Sequence, residues 1–483
     1  MMAFWDWSEI STRVGVSSDI LKLLSLLVLS NPLALILPRL KSFWIDLYSI
    51  FISSYFLLFV FSLRFGWFQL LASSVATWSI LKISLTCNKP LNRAIPWSIF
   101  LGLLSHLTCN HARRIIYNIP YETVEITGSQ MVLVMKLSTF AWNVYDGQLS
   151  SDKLDSYQKS NSVRNFPNLI HFLGYCFFFP SLLVGPAISF NDYHQYTQAI
   201  HLQISLPPRR FFHALKKLAI GTSFAILVGL YGSHLSYEKT LEDQFLSKNF
   251  FQRFWHLQIA GFLARAKYYL VWSLAEAAFV MAGCGYDHQK NDWSGGKNID
   301  VKELELAQNY KLVFDNWNMK TNIWLRESVY KRLNSKNAKR PGFLPTMATF
   351  ATSAAWHGPL PAYFLAFLSG GLFLALGRSI RSTIRPFFNN QSPTLKSIYD
   401  TICWLSTQTT LNYLVVPFIL LDISKTVTVY NRLGWYGHIL TGVPMFILWG
   451  LGFETKLKKR HPKDLKPNDT KCIDLKFETK KEI

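Results

Sequence analysis

Long apolar runs separated by short polar joints dominate the chain. They fall at about 20–37, 43–63, 67–85, 97–107, 131–144, 169–190, 211–231, 259–283, 343–355, 360–376, 398–421 and 439–453. A helix that crosses a bilayer needs ~20 residues. Several of these runs are shorter, so some read as half-helices or re-entrant pieces. The pattern predicts an all-α polytopic membrane protein, a bundle of roughly 10–11 spans.

Two polar stretches interrupt the rhythm. Residues 145–167 read as a loop. Residues 285–316 form a longer polar loop with an amphipathic stretch at 301–311. No internal repeat of fixed period is visible. The expected organisation is an N-terminal interfacial segment (1–18), one membrane-embedded domain (19–454) and a basic tail (455–483). The N-terminus, MMAFWDWSEI, lacks the basic region of a cleaved signal peptide. Its Phe4, Trp5 and Trp7 suit an interfacial anchor.

Composition supports the membrane reading. Of 483 residues, 50% are hydrophobic and only 16% charged, against roughly 25% charged in an average soluble domain. The net charge of +21 would suggest nucleic acid in a soluble chain. Here it sits in short loops and the tail, where it suits cytoplasmic loops beside anionic lipid. With no nucleic-acid-binding signature beside it, a nucleic-acid partner is not expected. The six cysteines, Cys87, Cys109, Cys176, Cys284, Cys403 and Cys472, form no C-x-x-C pair. Neither a disulfide framework nor a metal site is therefore expected. The tail ends Lys480-Lys481-Glu482-Ile483, which resembles a dilysine signal for retrieval to the endoplasmic reticulum, with the tail in the cytosol.

Four constellations could carry chemistry. The first lies in FLPTMATFATSAAWHGPLPAYFLAFLS, an apolar stretch with His357 near its middle. Pro359 and Pro361 follow closely, so the helix must break there. A titratable ring at such a break is either a satisfied core histidine or a functional group facing a cavity. A neutral histidine can take a proton from an alcohol, and Gly358 permits close approach. Ser353 lies one turn before His357, which makes a serine–histidine nucleophile conceivable.

The second is DNWNMKTNIWL, residues 315–325. On one continuous helix, Trp317, Thr321, Trp324 and Ser328 would share a face. An interfacial amphipathic helix accounts for the aromatics. It leaves unexplained Asn316, Asn318 and Asn322, since asparagine is a poor helix former. A neutral amide can donate to a developing oxyanion without the desolvation cost of a full charge.

The third is residues 264–285, where Arg265, Tyr268, Tyr269, Trp272 and Glu276 make a polar–aromatic stripe on an apolar helix. In lipid this stripe must face the protein interior. Arg265 and Glu276 are three turns apart, so each needs a partner elsewhere, and structural ion pairs are the plainer reading. The fourth is FFFPSLLVGPAISFNDY at 177–193, a helix–turn signal. Basic residues Arg326, Lys331 and Arg332, with Lys336, Lys339 and Arg340 beyond, could meet lipid phosphate or the phosphates of an anionic co-substrate. Dinucleotide, P-loop, G-x-S-x-G and H-E-x-x-H motifs are absent.

Together, W-H-G and D-N-W-N-M-x-T-x-x-W-L resemble the membrane-bound O-acyltransferase (MBOAT) family. The resemblance extends through ARAKYYLVWSLAEAAFVMAGCGY, DWSGGKN, VGPAISFNDY and NVYDG. The W-N-x-x-T-x-x-W-L form is similar to the lysophospholipid branch, and the dilysine ending resembles that of broad-specificity fungal lysophospholipid acyltransferases. The resemblance implies a helical bundle enclosing a catalytic tunnel. It implies acyl transfer from acyl-CoA, a co-substrate with no bound cofactor, to the free glycerol hydroxyl of a lysophospholipid. His357 matches the family histidine, the expected general base, and Asn318 the asparagine that polarises the thioester or its oxyanion. Trp317, Thr321, Trp324, Tyr268, Tyr269, Trp272, Glu276 and Trp356 become candidates to line the tunnel or bind substrate. Arg326, Lys331 and Arg332 become candidates for the acyl-CoA phosphates. The alternatives are a polytopic transporter, or an acyltransferase for a neutral-lipid or protein acceptor.

Overall fold

A computed structural model describes residues 6–87, 90–202, 204, 206–287, 290–334, 342–389 and 391–460. The dilysine ending, Phe4, Trp5, Cys472, Lys336, Lys339 and Arg340 lie outside the described residues. Among the described residues the chain is helical, with no strand beyond the isolated bridge between Asp287 and Asp292.

Five helical segments are both long and apolar enough to cross a membrane: Ser18–Arg39, Ser42–Val60, Arg64–Cys87, Arg210–Tyr231 and Pro361–Thr383. Their outer faces expose large apolar side chains such as Phe51, Phe59, Phe65 and Ile226, as a lipid-facing surface requires. The helices Ala94–Ile116, Ile126–Gly147, Phe250–Met281 and Pro393–Leu414 are as long but more polar. Many of their polar side chains pair within the protein, as Asn110 does with Gln130 and Arg265 with Glu305.

Ile126–Gly147 is the hub. Most of its residues are buried, including Lys136, Ser138, Asn143 and Asp146. Ala94–Ile116 packs along it, and Arg64–Cys87 lies against another side. A second group forms around Phe250–Met281, flanked by Arg210–Tyr231 and Ser18–Ala34. Phe343–His357 pairs with Pro361–Thr383 and touches Ala94–Ile116.

The buried charges are matched. Lys136 donates to the carbonyls of Tyr175 and Cys176 (2.8 and 3.4 Å) and to Ser181 Oγ (2.8 Å), at the C-terminal end of Leu169–Cys176. Carbonyls at a helix C-terminus favour a cation. The stripe on Phe250–Met281 faces inward as expected, and both of its charges find partners. Arg265 makes a two-pronged pair with Glu305 (2.9 and 2.8 Å), while its remaining nitrogen reaches Asn412. Glu276 lies 2.8 Å from Lys217 Nζ, an ion pair at contact distance without the alignment of a hydrogen bond.

The polar stretch 285–316 is a packed element, not a free loop. It holds the short helices Val301–Glu305 and Tyr310–Asn316, with Ile299, Leu304, Ala307, Tyr310 and Val313 buried. Its charged residues face outward or pair, and its apolar positions join the core around Tyr269 and Trp272.

Candidate active site

The segment around Asn318 is not the single helix that its pattern predicts. Tyr310–Asn316 ends, Trp317 is extended, and Asn318 adopts a left-handed conformation (φ 43°, ψ 55°) before the helix Met319–Leu325 begins. Asparagine tolerates this region better than most residues, which explains much of the local composition. Of the other two asparagines, one closes the first helix and one stitches the break. Asn316 donates to Leu312 O (2.9 Å), and Asn322 donates across the junction to Phe314 O (3.0 Å). Buried Asn298, from DWSGGKN, accepts from the Met319 amide through its carbonyl (2.8 Å) and from the Lys320 amide through Oδ1 (3.0 Å). Lys320 Nζ donates to the Gly295 carbonyl.

The break separates residues that periodicity placed together. Trp317 turns toward Phe250–Met281, with ring centroids 5.2 Å from Tyr268, 6.2 Å from Tyr269 and 5.0 Å from Trp272. Thr321, Trp324 and Ser328 turn the other way and are buried. Thr321 donates to Asn318 Oδ1 at 2.8 Å and touches Met135 Sδ at 3.2 Å. Trp324 donates from its indole to Ser138 Oγ at 2.8 Å.

His357 is the last residue of Phe343–His357. Gly358 (φ +140°) redirects the chain, and Pro361 starts the next helix, as the sequence predicts. The His357 ring is walled by Trp356, Tyr363, Phe367 and Phe418, with centroids 4.8, 5.6, 5.0 and 5.1 Å away. Among the described residues no hydrogen bond ties up its ring nitrogens, and none links Ser353 to it. A serine–histidine nucleophile has no geometric support.

Neighbours of both candidates are held by one face of the hub helix. Trp356 donates its indole hydrogen to Met131 O (3.0 Å), beside the Met135 and Ser138 contacts of the Asn318 segment. Positions 131, 135 and 138 lie on one helical face. The Trp324 and Trp356 rings meet at 5.7 Å, joining the two segments directly. His357 and Tyr268 are each only half-buried. Sequence reasoning missed Met131, Met135, Ser138, Tyr363, Phe367 and Phe418. Nothing in a methionine or phenylalanine of a membrane helix marks it as site-lining.

The basic candidates have other occupations. Arg332 forms a two-pronged pair with buried Asp146 (2.7 and 2.6 Å) and lies over the Trp142 ring. Lys331 pairs with Asp155 (2.8 Å) and Glu327 (3.0 Å), and Arg326 with Glu327 (2.9 Å). None is a free cation, so the reading of these three as open phosphate donors does not follow from their geometry. The surface clefts at Phe250–Tyr436–Leu440 and at His234–Lys248 lie away from His357 and Asn318. Among the described residues no group of three or more His, Cys, Asp or Glu side chains is placed to hold a metal.

A multi-pass helical membrane protein whose asparagine and histidine segments are held on one buried helix face is the class that fold and site define. The family model of the membrane-bound O-acyltransferases matches residues 115–418, and the chain belongs to that family. It is 38% identical to a protein named lysophospholipid acyltransferase from Schizosaccharomyces pombe, over 89% of this chain and 86% of that one. It is 34% identical to the protein of the same name from Saccharomyces cerevisiae, over 92% and 76%. It is 30% identical to membrane-bound glycerophospholipid O-acyltransferase 2 of Homo sapiens, over 75% and 72%. Family membership removes the ground for a transporter.

Proposed function

We propose that this protein transfers an acyl group from acyl-CoA to the free glycerol hydroxyl of a lysophospholipid, giving a diacyl phospholipid. The observation that supports the mechanism is that the segments carrying Asn318 and His357 are both held, through Thr321, Trp324 and Trp356, on the 131–138 face of the hub helix. The names of its relatives support the substrate class.

In this reading an unprotonated ring nitrogen of His357 takes the hydroxyl proton as the glycerol oxygen attacks the thioester carbon. Asn318 Oδ1 is occupied by Thr321, so its amide N–H groups are the ones directed at the developing oxyanion. Collapse of the tetrahedral intermediate breaks the C–S bond. The proton on His357 passes to the departing CoA thiolate, which restores the base and balances the reaction. Tyr363, Phe367, Phe418 and Trp356 around the ring exclude the water that would hydrolyse the thioester. In this proposal the mutually packed Trp317, Tyr268 and Trp272 line the acyl-CoA tunnel away from the base.

The proposed location is the endoplasmic reticulum membrane with a cytosolic tail, on the strength of Lys480 and Lys481. Replacing both should disperse the protein from that membrane, and an unchanged distribution would refute the retrieval role. The substrate reading is tested on membranes containing the protein, supplied with labelled acyl-CoA and separate lysophospholipid, neutral-lipid and peptide acceptors. Label should enter diacyl phospholipid. Label confined to a neutral lipid or peptide would refute the acceptor class.

A further inference from the structure

We infer that His111, on the separate helix Ala94–Ile116, is a positioning residue that fixes the orientation of His357. The inference rests on the catalytic reading of His357 and extends it to a residue that no sequence motif marks. His111 donates from Nε2 to the Trp356 carbonyl at 3.3 Å. That carbonyl belongs to the peptide unit whose nitrogen is His357's own. Holding it sets the plane from which the His357 Cα–Cβ bond departs.

The carbonyl needs such a donor. The last carbonyls of a helix lose their intrahelical partners, and this helix ends at His357. The next residues worsen the deficit, because Pro359 and Pro361 carry no N–H. The Gly358 amide closes on Ala354, and among the described residues no backbone N–H reaches Trp356 O. His111 supplies the hydrogen bond.

Its ring also fills space beside the turn. A Cβ at Gly358 would lie 3.3 Å from Tyr363 and 3.5 Å from the His111 ring, so His111 and Tyr363 bracket the residue after the base. Trp356 is thus pinned twice. Its indole is held by Met131 O on the hub helix, and its carbonyl by His111 on the neighbouring helix. The first anchor holds the side chain, and the second adds a partner for the backbone. The base sits at a helix terminus, where fraying would otherwise be easiest. A misplacement of about 1 Å in a catalytic group can cost on the order of a hundredfold in rate.

The test compares His111→Phe, which keeps a ring and loses the donor, with His111→Gln, which keeps an N–H donor at similar reach. Both are purified in detergent, and activity is normalised to monodisperse protein. His111→Leu takes the place of the Phe variant if that one does not accumulate. The Phe variant should lose roughly tenfold or more in kcat with KM for both substrates within about twofold, and the Gln variant should recover most of the loss. A parental kcat in the Phe variant, equal losses in Phe and Gln variants, or a loss confined to KM would overturn the inference. Activity of His357→Ala, measured alongside, separates the two claims. An active His357→Ala enzyme refutes the catalytic reading itself, whereas an inactive one beside a fully active His111→Phe enzyme refutes only the role of His111.

Discussion

Thr321 donates its hydroxyl to Asn318 Oδ1 at 2.8 Å, across the left-handed turn that starts the Met319–Leu325 helix. This bond decides which end of the amide is left for a substrate. With Oδ1 occupied, the amide presents donors, which is what an oxyanion needs. Thr321→Val should lower kcat by about tenfold with little change in KM, whereas Thr321→Ser should stay within about threefold of the parent. Steady-state kinetics on purified protein provide the check. Equal activity of the Val variant would show that Asn318 needs no such orientation.

The Arg265–Glu305 pair ties the long Phe250–Met281 helix to the packed segment that leads into Asn318. Glu305→Ala would leave buried Arg265 with only Asn412 and the Tyr269 hydroxyl. Breaking one side of a buried pair costs roughly 3–5 kcal/mol, and the partial exposure of Glu305 places this case toward the lower end. Thermal inactivation in detergent should therefore come several degrees earlier. Replacing both residues with apolar ones of similar volume should recover part of the loss.

Arg332 separates a structural from a substrate role. Its two-pronged contact with Asp146 and its position over Trp142 assign it to holding the 326–333 segment against the hub helix. Arg332→Ala would leave the nearly inaccessible Asp146 carboxylate unpaired, at a cost of roughly 3 kcal/mol. The expected phenotype is reduced thermal stability with an unchanged KM for acyl-CoA. A several-fold rise in that KM at parental stability would return Arg332 to the phosphate-binding role.

Particular elements show what was legible in the chain. The break after His357 could be read directly, because Gly358, Pro359 and Pro361 admit little else. The inward stripe on Phe250–Met281 was legible because charged and aromatic residues at helical spacing cannot all face lipid. The break at Asn318 was not. Helical periodicity continues through it, and the left-handed residue shows only as an excess of asparagine, one of which bonds across the break between the two short helices. The order within 285–316 was hidden for a related reason. Its buried positions are few and lie among charges that pair with distant residues such as Arg265. The basic run after Trp324 could not be read for its pairing, because a sequence shows the cations without showing that Asp146 and Asp155 reach them from elsewhere. The hub-helix anchors Met131, Met135 and Ser138 could be found only in three dimensions.

The central claim is that His357 is the base of an acyl transfer. The direct measurement is the rate of labelled diacyl phospholipid formation from acyl-CoA and lysophospholipid, with parent and His357→Ala proteins compared at equal abundance in the same membranes. Product formation should fall to background in His357→Ala, and in Asn318→Ala it should fall by about a hundredfold. Undiminished product from the His357→Ala protein would contradict the account.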